Sequence, residues 1–373
     1  MGKAPVYKLG QDNEFIIEDY NHSKPFSSFL PGIAGLDGIP MWTFYVNRNQ
    51  SVCSFGIENK DRSMMEFFPA NFAYQLVGSQ GFRTFIKIAV KGGFVLYEPF
   101  RTYEKEEKYI PAQTMVINPY SVTLKEEHRK FGLSVEVKYC NVVGKPFPGL
   151  IRRLKVRNIS KKKLKYELID GMPQVIPFGM DDFSLKKMKY LVKSFSFVEN
   201  LENDIPYFHI KTTHEDGPEV AMVKRGHYYA CFKPKGKGME LIRPMVDGSQ
   251  IFGLRKDFIF PQEFNVKAKF SYDRKEELKS GEFACSMCYD SGTLGPAGLA
   301  CLTSIAGTVD SLPEVSKVER AVTAGFMDDQ LEKNKALIES LMARSLVISE
   351  DQRFDRYSSQ NFLDNVLRGG LPI

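Results

Sequence analysis

The chain is poor in the residues that mark disulfide frameworks, metal centres and membrane spans. It has six Cys and five His among 373 residues. The Cys show no framework spacing, which excludes a disulfide-stapled miniprotein. No two His stand at the four-residue spacing of a helical metal motif. Trp occurs once. No uncharged apolar run reaches the roughly 18 residues that a membrane span needs. No N-terminal segment joins a basic start to an apolar stretch, as a signal peptide does. Val6 stands where a myristoylation motif beginning at Gly2 takes Ser or Thr. No Walker loop, G-x-S-x-G elbow or dinucleotide fingerprint occurs. A soluble, reducing, cytoplasmic protein is the expectation, with no membrane partner, no metal site and no cofactor. Glycosylation-like patterns at Asn21, Asn49 and Asn158 then read as chance matches.

What is present points to a large β protein. Hydrophobic residues make up 43% and charged residues 26%, ordinary for a globular chain. The 29 Phe and 17 Tyr imply a large, sheet-rich core. The length suggests about two or three domains, or one large β domain with an appendage. Net charge is +6, and all of the excess lies between Ile151 and Lys193. A patch of this kind can bind nucleic acid. No nucleic-acid signature accompanies it, and Arg152-Arg153-Leu154-Lys155-Val156-Arg157 nearly alternates. The expectation is a wet strand face followed by a solvated turn at Lys161-Lys162-Lys163, with no nucleic-acid partner.

Period-two runs recur at Phe131–Tyr139, Leu191–Val198 and Phe264–Tyr272, with a further apolar strand candidate at Glu282–Tyr289. Turn signals separate such runs at Asn118-Pro119, Gly144–Pro148, His214–Gly217 and Pro234–Gly238. Many strands without interleaved long helices predict a large antiparallel β-sandwich over 1–312. Leu312-Pro313 breaks the pattern. Asp328-Asp329 is placed to cap a helix reaching about Arg344, within a helical linker over 313–350. A second helix is predicted over Asp351–Arg368, with Gly369-Gly370 as its stop.

Few constellations carry chemistry. Cys285 and Cys288 form a C-x-x-C without a second pair. Their offset of three on a strand sends them to opposite faces, so buried inert thiols are expected. His209 and His214 flank a strand end, where joint ligation has weak support. His227 reads as a satisfied sheet residue. The acids Asp61, Glu66, Asp170, Asp181 and Asp182 offer no basis for choosing a catalytic pair. The most unusual stretch runs from Pro25 to Lys87. Its apolar Gly-rich loop holds Ile33, Ala34 and Gly35, and the single Trp follows in Met41-Trp42-Thr43-Phe44-Tyr45-Val46-Asn47-Arg48. Such a loop can approach a ligand with its backbone. Trp42 suits a sugar face, and Asn47 and Arg48 suit its hydroxyls. A core strand with an ordinary turn fits the same composition equally well.

The segments PFSSFLPGIAG, GIPMW with FYVNR, FGIENKD, FPAN with AYQ, and GFRTFIK resemble the N-terminal domain of glycoside phosphorylases of glycoside hydrolase family 94. The likeness is greatest to the branch acting on β-1,2-linked oligoglucans. Tyr166–Pro173, Ile176–Gly179 and Phe354–Gly370 extend it. The resemblance implies a β-sandwich, a helical linker and, over 351–373, the first helix of an (α/α)6 barrel. It implies inverting phosphorolysis of β-glucosides to glucose 1-phosphate, with inorganic phosphate as co-substrate of the complete enzyme. One general acid suffices there, because phosphate is itself the nucleophile. That acid would fall in the barrel, beyond Ile373, so no catalytic residue is assigned. The implied partners are an oligosaccharide and either a second copy in a homodimer or a complementary barrel fragment. The loop from Ser27 to Trp42 is the candidate wall of a neighbour's substrate site. The rival expectation is a stand-alone carbohydrate-binding or scaffold sandwich. On the first reading, the purified chain mixed with β-1,2-glucooligosaccharides and phosphate releases no glucose 1-phosphate. Steady turnover by pure material would overturn it.

Overall fold

The computed structural model describes residues 4–10, 14–30, 32–34, 38–104, 106–213, 221–275, 277–278, 280–345 and 347–367. Among these are twenty strands and eight α-helices, so the protein is mainly β. The first ten strands are β1 (Val6–Leu9), β2 (Phe15–Glu18), β3 (Ser27–Leu30), β4 (Ile33–Ala34), β5 (Ile39–Val46), β6 (Val52–Ile57), β7 (Ser63–Met65), β8 (Arg83–Val90), β9 (Gly93–Tyr97) and β10 (Ala112–Asn118). Then come β11 (Ser121–His128), β12 (Leu133–Asn141), β13 (Gly149–Asn158), β14 (Leu164–Met172), β15 (Ser196–Glu199), β16 (Tyr207–Ile210), β17 (Gly226–Lys235), β18 (Gly238–Ile242), β19 (Ser286–Leu294) and β20 (Leu299–Val309). The helices are α1 (Ala70–Gln80), α2 (Asp182–Lys187), α3 (Lys189–Val192), α4 (Ser249–Phe252), α5 (Gln262–Val266), α6 (Val315–Ala321), α7 (Phe326–Met342) and α8 (Gln352–Leu367). None of the described helices is long and apolar enough to cross a membrane.

The strands form three sheets. Eleven belong to one sheet, ordered β1-β2-β10-β11-β12-β13-β20-β17-β16-β15, with β18 beside β17. Four form β19-β14-β8-β9, and five form β3-β5-β6-β7 with β4 beside β5. Alternation sets which face is buried. In β12, Val135, Val137 and Tyr139 point into the core while Ser134, Glu136 and Lys138 point out. The inner face of the large sheet, with Leu124, Val137 and Leu154, packs on Ile86 and Leu168 of the four-stranded sheet and Phe55 of the five-stranded sheet. Each such side chain, fully buried, contributes about 1.5–3 kcal/mol. Helices cover the outer faces. Phe252 of α4 and Phe264 of α5 lie on Phe85 and Ile169. Ala73 and Val77 of α1 lie on Phe44 and Val46. Val318 of α6 and Phe326 of α7 lie on Ile151 and Ile305 of the large sheet.

Three readings fail, and the expected Glu282–Tyr289 strand starts late, at Ser286. Lys189–Val192 is helical, and only Ser196–Glu199 of the expected Leu191–Val198 strand is extended. There Val192 of α3 joins Leu185 of α2 in a buried cluster, and Leu191 is left exposed. No part of the expected Phe264–Tyr272 strand is extended in a sheet: the run starts inside α5, which follows Pro261, and continues as irregular chain. Phe264 and Phe270 enter the same cluster, which an uninterrupted strand would also allow, but the backbone reaches it through a helical turn. The third failure is Arg152, which does not line a wet face. Helix α7 begins at Phe326 after Gly325, with Asp328 and Asp329 in its first turn rather than at its cap, where they still favour the helix dipole. The expected turn at Lys161–Lys163 is exposed and joins β13 to β14. The expected turn at His214–Gly217 and the stop at Gly369-Gly370 lie outside the described residues.

Arg152 is 1% exposed. Its guanidinium pairs with Asp170, donates to Gln50 Oε1 at 2.6 Å and to Thr84 Oγ1 at 3.2 Å, and lies 5.1 Å over the Phe82 ring. Burial works to lower its pKa, and Asp170 more than compensates. Thr84 Oγ1 donates to the other carboxylate oxygen of Asp170 at 2.6 Å. Gly171, next in the chain, has φ 147°, and a Cβ there would meet Ser286 O at 2.1 Å. Removing one member of a buried pair strands the other charge, at a cost of about 3–5 kcal/mol. Arg152→Met is therefore expected to lower the urea midpoint sharply. The double variant Arg152→Met with Asp170→Leu should recover most of the loss. Equal midpoints for wild type and the single variant would show that the pair does not support the core.

Candidate functional site

Strands β3, β4 and β5 carry the expected sugar-facing loop. β5 pairs with β3 along Ser27–Leu30 and with β4 at its start, where Ile33 faces Pro40. Gly38, with φ 73°, supplies the left-handed turn between β4 and β5. Gly35 lies outside the described residues. Ile33 is partly buried against Ile338 and Leu341 of α7 and Leu363 of α8. Ala34 pairs with Ile39 through its backbone. Trp42 is half-buried. Its Nε1 donates to Glu58 O at 2.8 Å, and its ring meets Phe29 edge-on at 6.0 Å.

Asn47 and Arg48 sit at the other end of β5. At about 3.3 Å per residue, the stretch from Pro40 to Asn47 spans ~23 Å. Asn47 is fully buried. Its Oδ1 accepts from Phe26 N at 2.9 Å, and its Nδ2 donates to Ser23 Oγ at 2.5 Å and Lys24 O at 2.8 Å. The Arg48 guanidinium donates to Ser23 O at 3.0 Å and Tyr20 O at 3.3 Å, and lies over Tyr74 at 5.6 Å. Burial lowers its pKa from the ordinary value. Both residues thus hold the turn from Tyr20 to Lys24. The structure sets Ile33 against α7 and α8 and Trp42 against Phe29 and Glu58, and brings neither to Asn47 and Arg48.

Of the candidate acids, Asp61, Asp181 and Asp182 meet at the start of α2, and Asp170 and Glu66 are engaged elsewhere. Asp170 is the partner of Arg152. Asp182 pairs with Lys60 at 2.9 Å and with Lys186 at 2.6 Å, and its backbone N–H donates to Asp61. Asp181 caps α2 by accepting from Ser184 N. Glu66 pairs with Lys189 at 2.7 Å. Glu66 also borders a cavity of about 20 Å³ with Met64, Leu76, Gln80 and Gln174. That space holds a water molecule and excludes a sugar ring.

Among the described residues, no group of three or more His, Cys, Asp or Glu is arranged to hold a metal. His209 faces Glu199 at 3.4 Å, and His214 lies outside the described residues. Cys285 and Cys288 are buried in different clusters on opposite sides of their sheet, as the offset of three requires. Burial pushes the thiols of Cys53 and Cys140 up to about 12, which suppresses the reactive thiolate.

One surface escaped the sequence reading. Phe183 in α2, Tyr190 and Leu191 in α3, and Phe195 just after it are exposed, Tyr190 by 89%. Lys193 lies 6.0 Å from the Tyr190 ring. The signal was in the sequence: Leu185 and Val192 mark a buried helical side, and the neighbouring apolar residues fall off it.

No family model matches the chain, and no curated protein matches it. Among solved structures, the chain is similar to a polysaccharide lyase with a TM-score of 0.36 and 9% identity, over 74% of this chain and 33% of the lyase. It is also similar to a galactose mutarotase-like protein from Clostridium acetobutylicum, with a TM-score of 0.35 and 10% identity, over 82% of this chain and 98% of that one. The chain spans a third of the length of the lyase. Likenesses this distant identify neither substrate nor activity.

The buried histidines give the fold an acid limit. Burial, with Arg225 adding, lowers the His227 pKa to about 3. His128, stacked on Phe131, is lowered to about 4, again first by burial. The unfolded chain takes up these protons near 6.5. Stability from the neutral rings is therefore complete above that value and is lost as pH falls toward 4. Urea midpoints are expected to decline from about pH 7 to 4.5, and less steeply in His227→Gln. An identical slope in that variant would rule out His227 as the titrating group.

Proposed function

We propose that the chain is the N-terminal β-sandwich of a β-glucan phosphorylase, where it supports folding, dimerisation and the rim of the substrate site while the bond is broken elsewhere in the enzyme. The finer assignment is to a β-1,2-oligoglucan phosphorylase, with phosphorolysis carried by an (α/α)6 barrel of which α8 is the first helix. One observation carries the reading. The loop residue Ile33, the linker residues Ile338 and Leu341, and Leu363 of α8 meet in a single apolar cluster. On this reading, a rim loop held against the helix that opens the barrel would border the substrate entrance. Phe354 and Tyr357 of α8, exposed by 54% and 69%, are available to pack on further helices.

A second reading has its own support. The exposed Phe183, Tyr190 and Phe195 suit stacking on sugar rings, as a stand-alone carbohydrate-binding sandwich would need.

The test is to express the chain together with the reading frame that follows it. Release of glucose 1-phosphate from β-1,2-oligoglucans and phosphate is expected from the joint product. In that product, Ile33→Asp should raise the apparent KM for oligosaccharide severalfold. It should also cost ~2 kcal/mol of stability, because the new carboxylate faces the α7–α8 cluster. If no barrel is encoded and the chain alone binds oligosaccharide in calorimetry, the second reading replaces the first.

A further inference from the structure

Two segments far apart in sequence leave apolar side chains in water, and a shared carboxylate brings them together. Phe183 of α2 and Tyr190 and Leu191 of α3 are exposed on one segment. Leu254, 100% exposed, and Ile259 stand on the other, in the loop after α4. Glu282 ties the two. One of its carboxylate oxygens pairs with Lys193 at 2.5 Å and the other with Lys256 at 3.0 Å. Lys193 stands three residues after Tyr190, and Lys256 two residues after Leu254. The two groups are therefore neighbours on one surface. An exposed apolar surface of this kind marks an interaction site.

Both segments are clamped from beneath. Arg83, itself buried, donates to Phe258 O at 2.6 Å and to Ile259 O at 3.1 Å, and pairs with Glu98 at 2.6 Å. The Phe258 ring packs on Phe252 of α4 at 5.4 Å. Phe258 is held at φ 56°, a left-handed value that is unfavourable for a bulky residue. On the other segment, Asp181 caps α2, and Leu185 and Val192 seat the two short helices in a buried cluster. The clamps fix the backbone while the apolar tips stay outside. The charges around the tips narrow the choice of partner. Lys186, Lys187, Arg255 and Lys256 are exposed. Asp257 answers Arg255, but Asp182 and Glu282 each serve two lysines. The rim is therefore net positive.

We propose that this surface docks the protein on an anionic lipid bilayer, with Tyr190, Leu191, Leu254 and Ile259 entering the headgroup layer. Apolar tips set in a basic rim suit that boundary: the tips leave water, and the lysines lie along the surface with their heads among the anionic headgroups. A Tyr at the tip keeps its ring in the apolar layer and its hydroxyl in the wet one. Side chains lining a groove for a folded partner would be partly covered, whereas Leu254 is bare on every side. The contact is a reversible one, and salt weakens its electrostatic part. The missing span and lipidation motif, on which the expectation of no membrane partner rests, do not bear on a surface contact of this kind.

Flotation of the full chain with vesicles tests the surface, using phosphatidylcholine alone and an equal mixture of phosphatidylcholine and phosphatidylglycerol. The chain is expected to float with the mixed vesicles and to stay behind with phosphatidylcholine alone. The double variant Leu191→Ser with Leu254→Ser should weaken binding to mixed vesicles at least tenfold, and Lys187→Glu severalfold. Melting midpoints of these variants should match wild type, since the replaced side chains are exposed; that separates lost docking from lost folding. Tyr190→Trp should add fluorescence that shifts to the blue with mixed vesicles only. A chain that stays behind with both vesicles, or wild-type flotation of the double serine variant, would overturn the proposal. Binding of soluble polyglutamate as tight as that of mixed vesicles would assign the surface to an acidic protein instead, and release from vesicles by an oligoglucan would assign it to a sugar; either result also overturns it.

Discussion

One buried guanidinium holds the three sheets in register with one another. Arg152 belongs to the eleven-stranded sheet. Its partners Asp170 and Thr84 belong to the four-stranded sheet, and Gln50 lies in the turn that joins two strands of the five-stranded sheet. Tyr139 closes the circuit by donating to Gln50 O at 2.8 Å. A charge in an apolar core is costly unless every donor finds an acceptor. That cost fixes how the layers face each other, because small sliding of one sheet would strand a charge. Apolar packing alone tolerates such sliding far better.

A second buried centre repeats the arrangement with the opposite sign. Glu126 of β11 accepts from Tyr97 at 2.6 Å, Tyr103 at 3.1 Å, Gln113 at 2.8 Å and the backbone N–H of Phe100. Burial raises its pKa, and the four donors oppose that rise. Tyr97 lies on the four-stranded sheet, so this centre also spans two layers. Arg152 and Glu126 together define the sandwich by polar contacts at two points within one apolar core.

The sheet-forming segments were legible wherever one face meets core and the other water, as in β12. The helical tail was legible from its 3.6-residue period. Short helices were not, because α3 and α5 share apolar spacing with strands; α5 follows Pro261, and α3 has no side-chain cap and continues directly from the end of α2 at Met188. Arg152 was illegible for a sharper reason. Arg152 and Arg153 are adjacent, so alternation alone sends one inward, and composition does not say which. The core positions of Leu154 and Val156 decide it, and an inward Arg then demands the acid that Asp170 supplies. For the candidate loop, the spacing placed Trp42 and Asn47 on one strand, but the burial of Asn47 depends on the distant turn at Ser23 and Lys24. Such contacts leave no periodic trace.

The order of the large sheet also bears on how the chain is made. β13 pairs with β20, and the backbone oxygen of Arg152 accepts from Ser304, 152 residues later. β17 waits for the same strand on its other side. During synthesis, the centre of the sheet therefore stays open until β20 has left the ribosome. Two strand edges, those of β13 and β17, are unpaired throughout that interval, and contacts of such long range form slowly. Early release of a chain ending before residue 299 would leave these edges free to join with other chains, so recovery of the protein should depend on chaperones that shield nascent strands.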